Sequence, residues 1–201
     1  MKLAYREPSE VSGLVITDRD GTLIRDVPYL SRIEDIKFLP GVIESIRMLN
    51  DRKIPVCVAT NQSGVARGYF SEEFLRQSHD HMNLLLQKEG AKIDLFLYCP
   101  HLRDGKISGY DRECECRKPM PGLLSEAIRY FGISPENAMM VGDSLRDVEA
   151  ARAAGVFGYY IGTQTLIDQE NVIRVDTFSE AVAHYLSQIE SHVARRSSHV
   201  P

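Results

Sequence analysis

The chain has 201 residues, 43% of them hydrophobic, which suits one domain with a sizeable core. Its formal net charge of −4 provides no broad basic surface and argues against a nucleic-acid partner. No apolar run approaches the ~20 residues of a membrane span and residues 1–12 are polar, so a soluble cytoplasmic protein without a membrane partner is expected.

Leu14-Val15-Ile16 reads as a short buried strand that runs into Thr17-Asp18-Arg19-Asp20-Gly21-Thr22-Leu23. Two carboxylates one residue apart, at the C-terminal end of a strand, stand where open α/β sheets bind ligands. Asp18 could attack phosphorus and form an aspartyl phosphate. Asp20 could give a proton to the leaving oxygen and later take one from water. Both acids would repel a phosphate dianion, so a bridging Mg²⁺ is expected. Taken alone, an Asp-rich turn that merely ends a strand is the plainer reading.

Residues 21–38 show no sustained period and include Pro28, which predicts a flap leaning over the strand ends. Pro40-Gly41 opens a helix whose apolar face is Val42, Ile43, Ile46 and Leu49. A strand at 55–59 follows, with Cys57 as an inert core thiol, and ends in the turn Thr60-Asn61-Gln62-Ser63-Gly64. Strand, helix, strand is the βαβ pattern of a parallel sheet. Ser71 caps a helix through about Glu89, with Phe74, Leu75, Met82, Leu85 and Leu86 inward. His79 and His81 lie two apart on it, face different sides, and read as surface residues.

Ile93 to Tyr98 is the third strand, followed by Cys99-Pro100-His101 and a polar loop to Cys116. Pro119-Met120-Pro121-Gly122 starts a helix carrying Leu123, Leu124, Ala127, Ile128 and Phe131. The fourth strand, Ala138 to Val141, ends in Gly142-Asp143-Ser144, and the helix after it stops at Gly155. Val156 to Ile161 is a fifth strand. Thr177 and Glu180 have capping-box spacing for a last helix with Val182, Tyr185, Leu186 and Ile189 inward, and the tail from about Val193 to 201 is expected to fray.

Four strands thus end in polar signals, and in a parallel sheet those ends share one edge and converge on one crevice. Thr60 offers a hydroxyl, and the turn after it offers N–H groups, for phosphate oxygens. Lys118 can bring a point charge, Asp143 can complete a Mg²⁺ shell opposite Asp18, and Asp147 can support it. Cys99, His101, Cys114 and Cys116 offer three thiolates and an imidazole, a closed tetrahedral set for structural Zn²⁺ that would staple the loop at about 99–116. The plainer readings are a β-branched strand residue, a solvated lysine, a helix N-terminal acid and scattered reduced thiols.

In order, Asp18-Arg19-Asp20-Gly21-Thr22, Thr60, Lys118 and Gly142-Asp143-Ser144-x-x-Asp147 match the four motifs of the haloacid dehalogenase-like phosphohydrolases, and the resemblance runs from Asp18 to about Gly155. It implies an α/β Rossmann-like three-layer sandwich with a central parallel sheet, one domain over 1–201. It also implies Asp18 as nucleophile, Asp20 as general acid and base, Thr60 and Lys118 as phosphate ligands, and Mg²⁺ on Asp18, the Asp20 carbonyl and Asp143. About 40 residues separate Asp20 from Thr60, too few for a cap domain of ordinary size, so the fold is expected to be capless with a zinc-binding loop insertion.

With Cys116-Arg117-Lys118-Pro119, the Cys/His set is similar to the subgroup of heptose-bisphosphate and histidinol-phosphate phosphatases. Thr60 to Gly68 looks like the heptose branch. That resemblance implies a small sugar phosphate as substrate, losing its 7-phosphate, with Asp26, Tyr29, Asn61, Gln62, Ser63, Arg67, Arg117 and Ser144 in contact with it. Arg67 and Arg117 are two cations suited to the phosphate that is not cleaved. Histidinol phosphate, a generic sugar phosphate, and a non-catalytic phospholigand-binding module stabilised by zinc stay open as alternatives. Keeping both Asp18 and Asp20 counts against the last, and a monomer is expected.

Overall fold

The computed structural model describes residues 13–163 and 171–197. Its strands are β1 (Leu14–Thr17), β2 (Val56–Asn61), β3 (Leu95–Cys99), β4 (Ala138–Gly142), β5 (Phe157–Ile161) and β6 (Val172–Val175). The helices are α1 (Val42–Asp51), α2 (Gly64–Arg67), α3 (Glu72–Lys88), α4 (Gly122–Phe131), α5 (Leu145–Ala153) and α6 (Phe178–Ser197). All strand pairs are parallel, in the order β3-β2-β1-β4-β5-β6.

Alternation along the strands sends neighbouring side chains to opposite faces, and each face builds its own core. Val15, Val56, Val58, Met139 and Val141 pack under α1, α3 and α6, which contribute Ile46, Leu49, Met82, Leu86, Val182 and Leu186. Leu14, Ile16, Cys57, Ala59 and Met140 pack under α4 and α5, which contribute Leu123, Leu124, Ala127, Ala150 and Ala151. The result is three layers, the Rossmann-like sandwich that the motifs imply. Tyr185 fixes α6 to the sheet: its hydroxyl accepts from Leu14 N at 3.0 Å and donates to the Asn137 carbonyl.

The chain steps outward from β1 to β2 and β3, then returns to β4 on the other side of β1. That reversal leaves a crevice beyond the C-terminal ends of β1 and β4, between the loops that carry Asp18 and Asp143. The flap is tied down at its base, where Arg25 N donates to Lys37 O and Leu39 N to Leu23 O, both at 2.9 Å. Leu30 and Ile36 then pin its middle to the core. It carries only a short 3-10 turn, Ile33–Asp35.

Ser71 caps α3 as expected, accepting from Phe74 N at 3.1 Å. At α6 the capping is split: Glu180 N donates to Thr177 Oγ1, whereas the Glu180 carboxylate receives the N–H of Asp176 and not that of Thr177. The helix continues through Ser197, beyond Val193 where fraying was expected, and 198–201 lie outside the described residues. Two elements are additional, the single turn α2 and the edge strand β6. One reading is corrected: His79 is buried, not a surface residue, and His81 is half-buried.

Candidate active site

Asp18 follows β1 directly, and its N–H donates to Val141 O of β4 at 2.8 Å, so the first loop is anchored across the switch point. Asp143 follows β4. The carboxylates of Asp18, Asp143 and Asp147 lie within 4.8 Å of one another. Into this cluster comes one buried cation, Lys118, with Nζ 3.0 Å from Asp18 Oδ1 and 2.6 Å from Asp147 Oδ1. Asn61 mounts that lysine: its amide donates to Lys118 O at 2.9 Å and accepts from Lys118 N at 3.0 Å. Asn61 therefore lines the crevice with its side chain already spent on holding Lys118 in place.

Asp20 is held separately. Arg19 reaches both its oxygens through Nε and Nη2 at 2.9–3.2 Å, and Gln62 Nε2 donates to Oδ2 at 2.8 Å. The same Gln62 nitrogen donates to Thr60 Oγ1 at 2.9 Å, joining the ends of β1 and β2. Arg19 is buried, and its Nη1 lies 3.4 Å from Nε2 of His79. Burial, and then the Arg19 charge, push His79 down to about 3, so its ring is neutral.

One lysine does not balance three acids. Burial, with the charges of Asp18 and Asp147, pushes Asp143 up to about 7. Burial pushes Asp147 up to about 6 against the pull of Lys118. Burial also works against the Lys118 ammonium, but the two carboxylates outweigh it and leave its pKa raised. Asp147 is committed, with Oδ1 on Lys118 and Oδ2 accepting from Ser144 N at 3.0 Å. Asp18 spends only Oδ1, in its ion pair with Lys118. Asp18 and Asp143 are therefore the acids free for a hard divalent cation, and an oxygen-only donor set of this charge fits Mg²⁺. Asp20 could add only its main-chain carbonyl, since its carboxylate is engaged by Arg19 and Gln62. Gly21 makes room: at φ +74°, a Cβ there would stand 2.0 Å from Asp143 Oδ2.

The crevice measures about 250 Å³ and is lined by Asp18, Asp20, Asp26, Tyr29, Thr60, Gln62, Ser63, Lys118 and Ser144 among others. Beyond it opens a second hollow of about 1010 Å³, which shares Tyr29, Ser63, Lys118 and Arg146 with the first. Arg67 and Arg117 line this outer hollow and not the crevice. Tyr29, at φ +51°, is held edge-on to Tyr69 with centroids 4.4 Å apart, and the Arg67 guanidinium lies 5.9 Å from its ring centre. Ser144 caps α5 in a capping box with Asp147.

The four proposed zinc ligands converge. Sγ of Cys114 lies 3.5 Å from that of Cys99 and 3.3 Å from that of Cys116, and His101 Nδ1 lies 3.4 Å from Cys116 Sγ. A tetrahedral centre with Zn–S near 2.3 Å would set sulfurs about 3.8 Å apart, so the set fits with little movement. Arg117 Nη1 donates to His101 O at 3.1 Å, which ties the outer hollow to this cluster. Tyr110 lashes the loop to α3 beside Tyr98 of β3: their hydroxyls donate to Glu72 at 2.7 and 2.9 Å.

Three site residues escaped the sequence reading. His79 falls on the apolar stripe Leu75, Met82, Leu86 of α3, which is the signal that would have placed it inside. Arg19 carried no role within its motif. Arg146 lines both hollows from the first turn of α5, where the helix dipole disfavours a cation, and that mismatch is its only mark in the sequence.

The sequence pattern of the haloacid dehalogenase-like hydrolases matches residues 29–155. The chain is 42% identical over 143 residues to the D-glycero-beta-D-manno-heptose-1,7-bisphosphate 7-phosphatase of Haemophilus ducreyi, covering 71% of this chain and 78% of that protein. Among solved structures it is similar to the D,D-heptose 1,7-bisphosphate phosphatase of B. bronchiseptica complexed with magnesium and phosphate. That match has a TM-score of 0.77 and 31% identity, and covers 88% of this chain and 99% of the other. The corresponding enzyme of Burkholderia thailandensis superposes with a TM-score of 0.63 at 29% identity, over 87% and 99% of the two chains.

Proposed function

The chain belongs to the haloacid dehalogenase-like hydrolases, and we propose that it removes the 7-phosphate from a D-glycero-D-manno-heptose 1,7-bisphosphate through a phospho-Asp18 intermediate. The observation that carries this reading is the pairing of a half-buried Asp18 with buried Lys118 beside an Asp20 that is held independently of both. Mg²⁺, held by Asp18 and Asp143 with the Asp20 main-chain carbonyl, would supply Lewis-acid neutralisation of the phosphoryl charge.

An Asp18 carboxylate oxygen attacks the 7-phosphorus, forming the P–O bond to Asp18 as the bond to the sugar oxygen breaks. Asp20 gives its proton to that sugar oxygen as it leaves. In the second half, Asp20 takes a proton from water, the water oxygen bonds to phosphorus, and the carboxylate of Asp18 is released. Lys118 and the Thr60 hydroxyl hold the equatorial oxygens throughout. Arg67 and Arg117 hold the second phosphate in the outer hollow, with Asp26, Tyr29, Ser63 and Ser144 around the sugar.

In this reading the Cys99, His101, Cys114 and Cys116 set holds structural Zn²⁺. A cytoplasmic location goes with it, because such thiolates persist where thiols stay reduced. One chain supplies the whole crevice, so a monomer suffices. The test is phosphate release, with Mg²⁺, from both anomers of the bisphosphate beside histidinol phosphate. A kcat/KM for one heptose anomer orders of magnitude above the histidinol value supports the assignment. Equal low rates on all three reduce it to a generic phosphatase.

A further inference from the structure

We propose that His79 and Arg19 form a buried arm that sets the position of the Asp20 carboxylate, which makes His79 a positioning residue for proton transfer. The inference rests on the reading of Asp20 as general acid and base. Arg19 stands between the two reacting aspartates and is 2% exposed, whereas the Asp20 side chain is 25% exposed and lines the crevice. The guanidinium therefore grips Asp20 from its buried side, with Nε and Nη2 on both carboxylate oxygens. A planar fork that spends two nitrogens on one acid can still swing about its long stem unless its far edge is also held.

His79 holds that edge. It projects from the middle of α3, 5% exposed, with Nε2 3.4 Å from Arg19 Nη1. Its ring lies on Phe96 of β3, centroids 4.4 Å apart and planes 12° from parallel, a stack that sets the plane in which Nε2 faces Arg19. An arginine nitrogen only donates, so Nε2 must accept, which requires a neutral ring with its proton on Nδ1. Burial keeps the ring in that state across the working range. The arm thus runs from the packed face of α3, through Arg19, to the acid. Gln62 steadies Asp20 from the β2 side.

The test compares an alkyl phosphate, whose leaving oxygen needs a proton, with p-nitrophenyl phosphate, whose leaving phenolate does not. The alkyl ester is whichever sugar phosphate the wild-type enzyme hydrolyses fastest, so the outcome does not depend on the heptose assignment. His79→Phe keeps the stack on Phe96 and removes the acceptor; His79→Gln restores an acceptor. The readout is kcat/KM, which reports only the steps through departure of the leaving group and not the later hydrolysis that both esters share. The expected result for His79→Phe is a loss of about tenfold in kcat/KM on the alkyl ester, a fraction of the 10²–10⁴ that acid–base groups contribute. On the aryl ester kcat/KM should change much less, and His79→Gln should recover most of the loss. Wild-type rates in His79→Phe, or equal losses on both esters that His79→Gln does not relieve, would overturn the arm. Asp20→Asn serves as calibrator: equal losses of kcat/KM on both esters there would instead remove the general-acid reading, and the arm with it.

Discussion

Lys118 Nζ lies 3.0 Å from Asp18 Oδ1, at the point where the strand order of the sheet reverses. The same ammonium lies 2.6 Å from Asp147 Oδ1, so one buried cation serves both the attacking acid and the helix cap behind it. Lys118→Met should lower kcat by about 10²–10³, the range for loss of one preorganised charge donor. It should also destabilise the fold, because Asp147 is left buried without its partner, a change that typically costs about 3–5 kcal/mol. Adding Asp147→Asn to Lys118→Met should return most of the stability and none of the activity. Denaturant melts and phosphate-release rates across the double-mutant cycle check both halves.

The room that Gly21 leaves for Asp143 makes a second expectation. Gly21→Ala places a methyl where the Asp143 carboxylate stands, at a φ that alanine resists. Asp143 must move away from Asp18, and the Mg²⁺ concentration for half-maximal rate should rise at least about tenfold, the 1.4 kcal/mol scale of a displaced ligand. A Mg²⁺ titration of the rate with unchanged half-saturation would show that Asp143 is not a metal ligand.

The arm behind Asp20 has a pH signature in stability. His79 has a folded pKa of about 3 against an ordinary 6.5, so between those values the unfolded chain binds more protons than the folded one. Stability from this residue is therefore complete above about pH 6.5 and is lost as the pH falls toward 3. The wild-type enzyme should lose ground to His79→Gln by roughly 1 kcal/mol per pH unit between pH 6 and pH 4. Chemical denaturation of both proteins at several pH values measures this, and parallel curves would mean that His79 titrates normally.

Much of the site was legible because it obeys simple patterns. Apolar runs that end in Asp18, Thr60, Cys99 and Asp143 mark strand ends, and a parallel sheet brings strand ends together. The three layers were implied by the family resemblance, and helical stripes such as Val42, Ile46, Leu49 gave only which side of a helix turns inward. His79 was misplaced because its two-residue spacing from His81 says only that they face different ways, not which way is inward. Its spacing from Leu75 and Met82 held the answer. β6 spans four residues, Val172–Val175, too few for alternation to stand out. Asn61 was legible only as a substrate contact; its hold on the backbone of Lys118 lay beyond sequence reasoning, since that partner is brought near only by the fold.

The cysteine set gives a prediction about substrate binding. Arg117 is tethered to the carbonyl of His101, so loss of metal from Cys99, His101, Cys114 and Cys116 should loosen the wall of the outer hollow. The purified protein should contain zinc by elemental analysis. A zinc-selective chelator, with Mg²⁺ in excess, should raise KM for the bisphosphate several-fold more than it lowers kcat. An unchanged KM in zinc-depleted enzyme would separate the loop from substrate binding.

The most direct measurement is acid quench of the enzyme during turnover of the bisphosphate with Mg²⁺, followed by peptide mass analysis. One phosphoryl group on the peptide that contains Asp18, labile to hydroxylamine and missing from an equally well-folded Asp18→Asn with no turnover, is the expected result. Phosphate release by Asp18→Asn at a rate near that of the wild-type enzyme, with no labelled peptide in either, would contradict it.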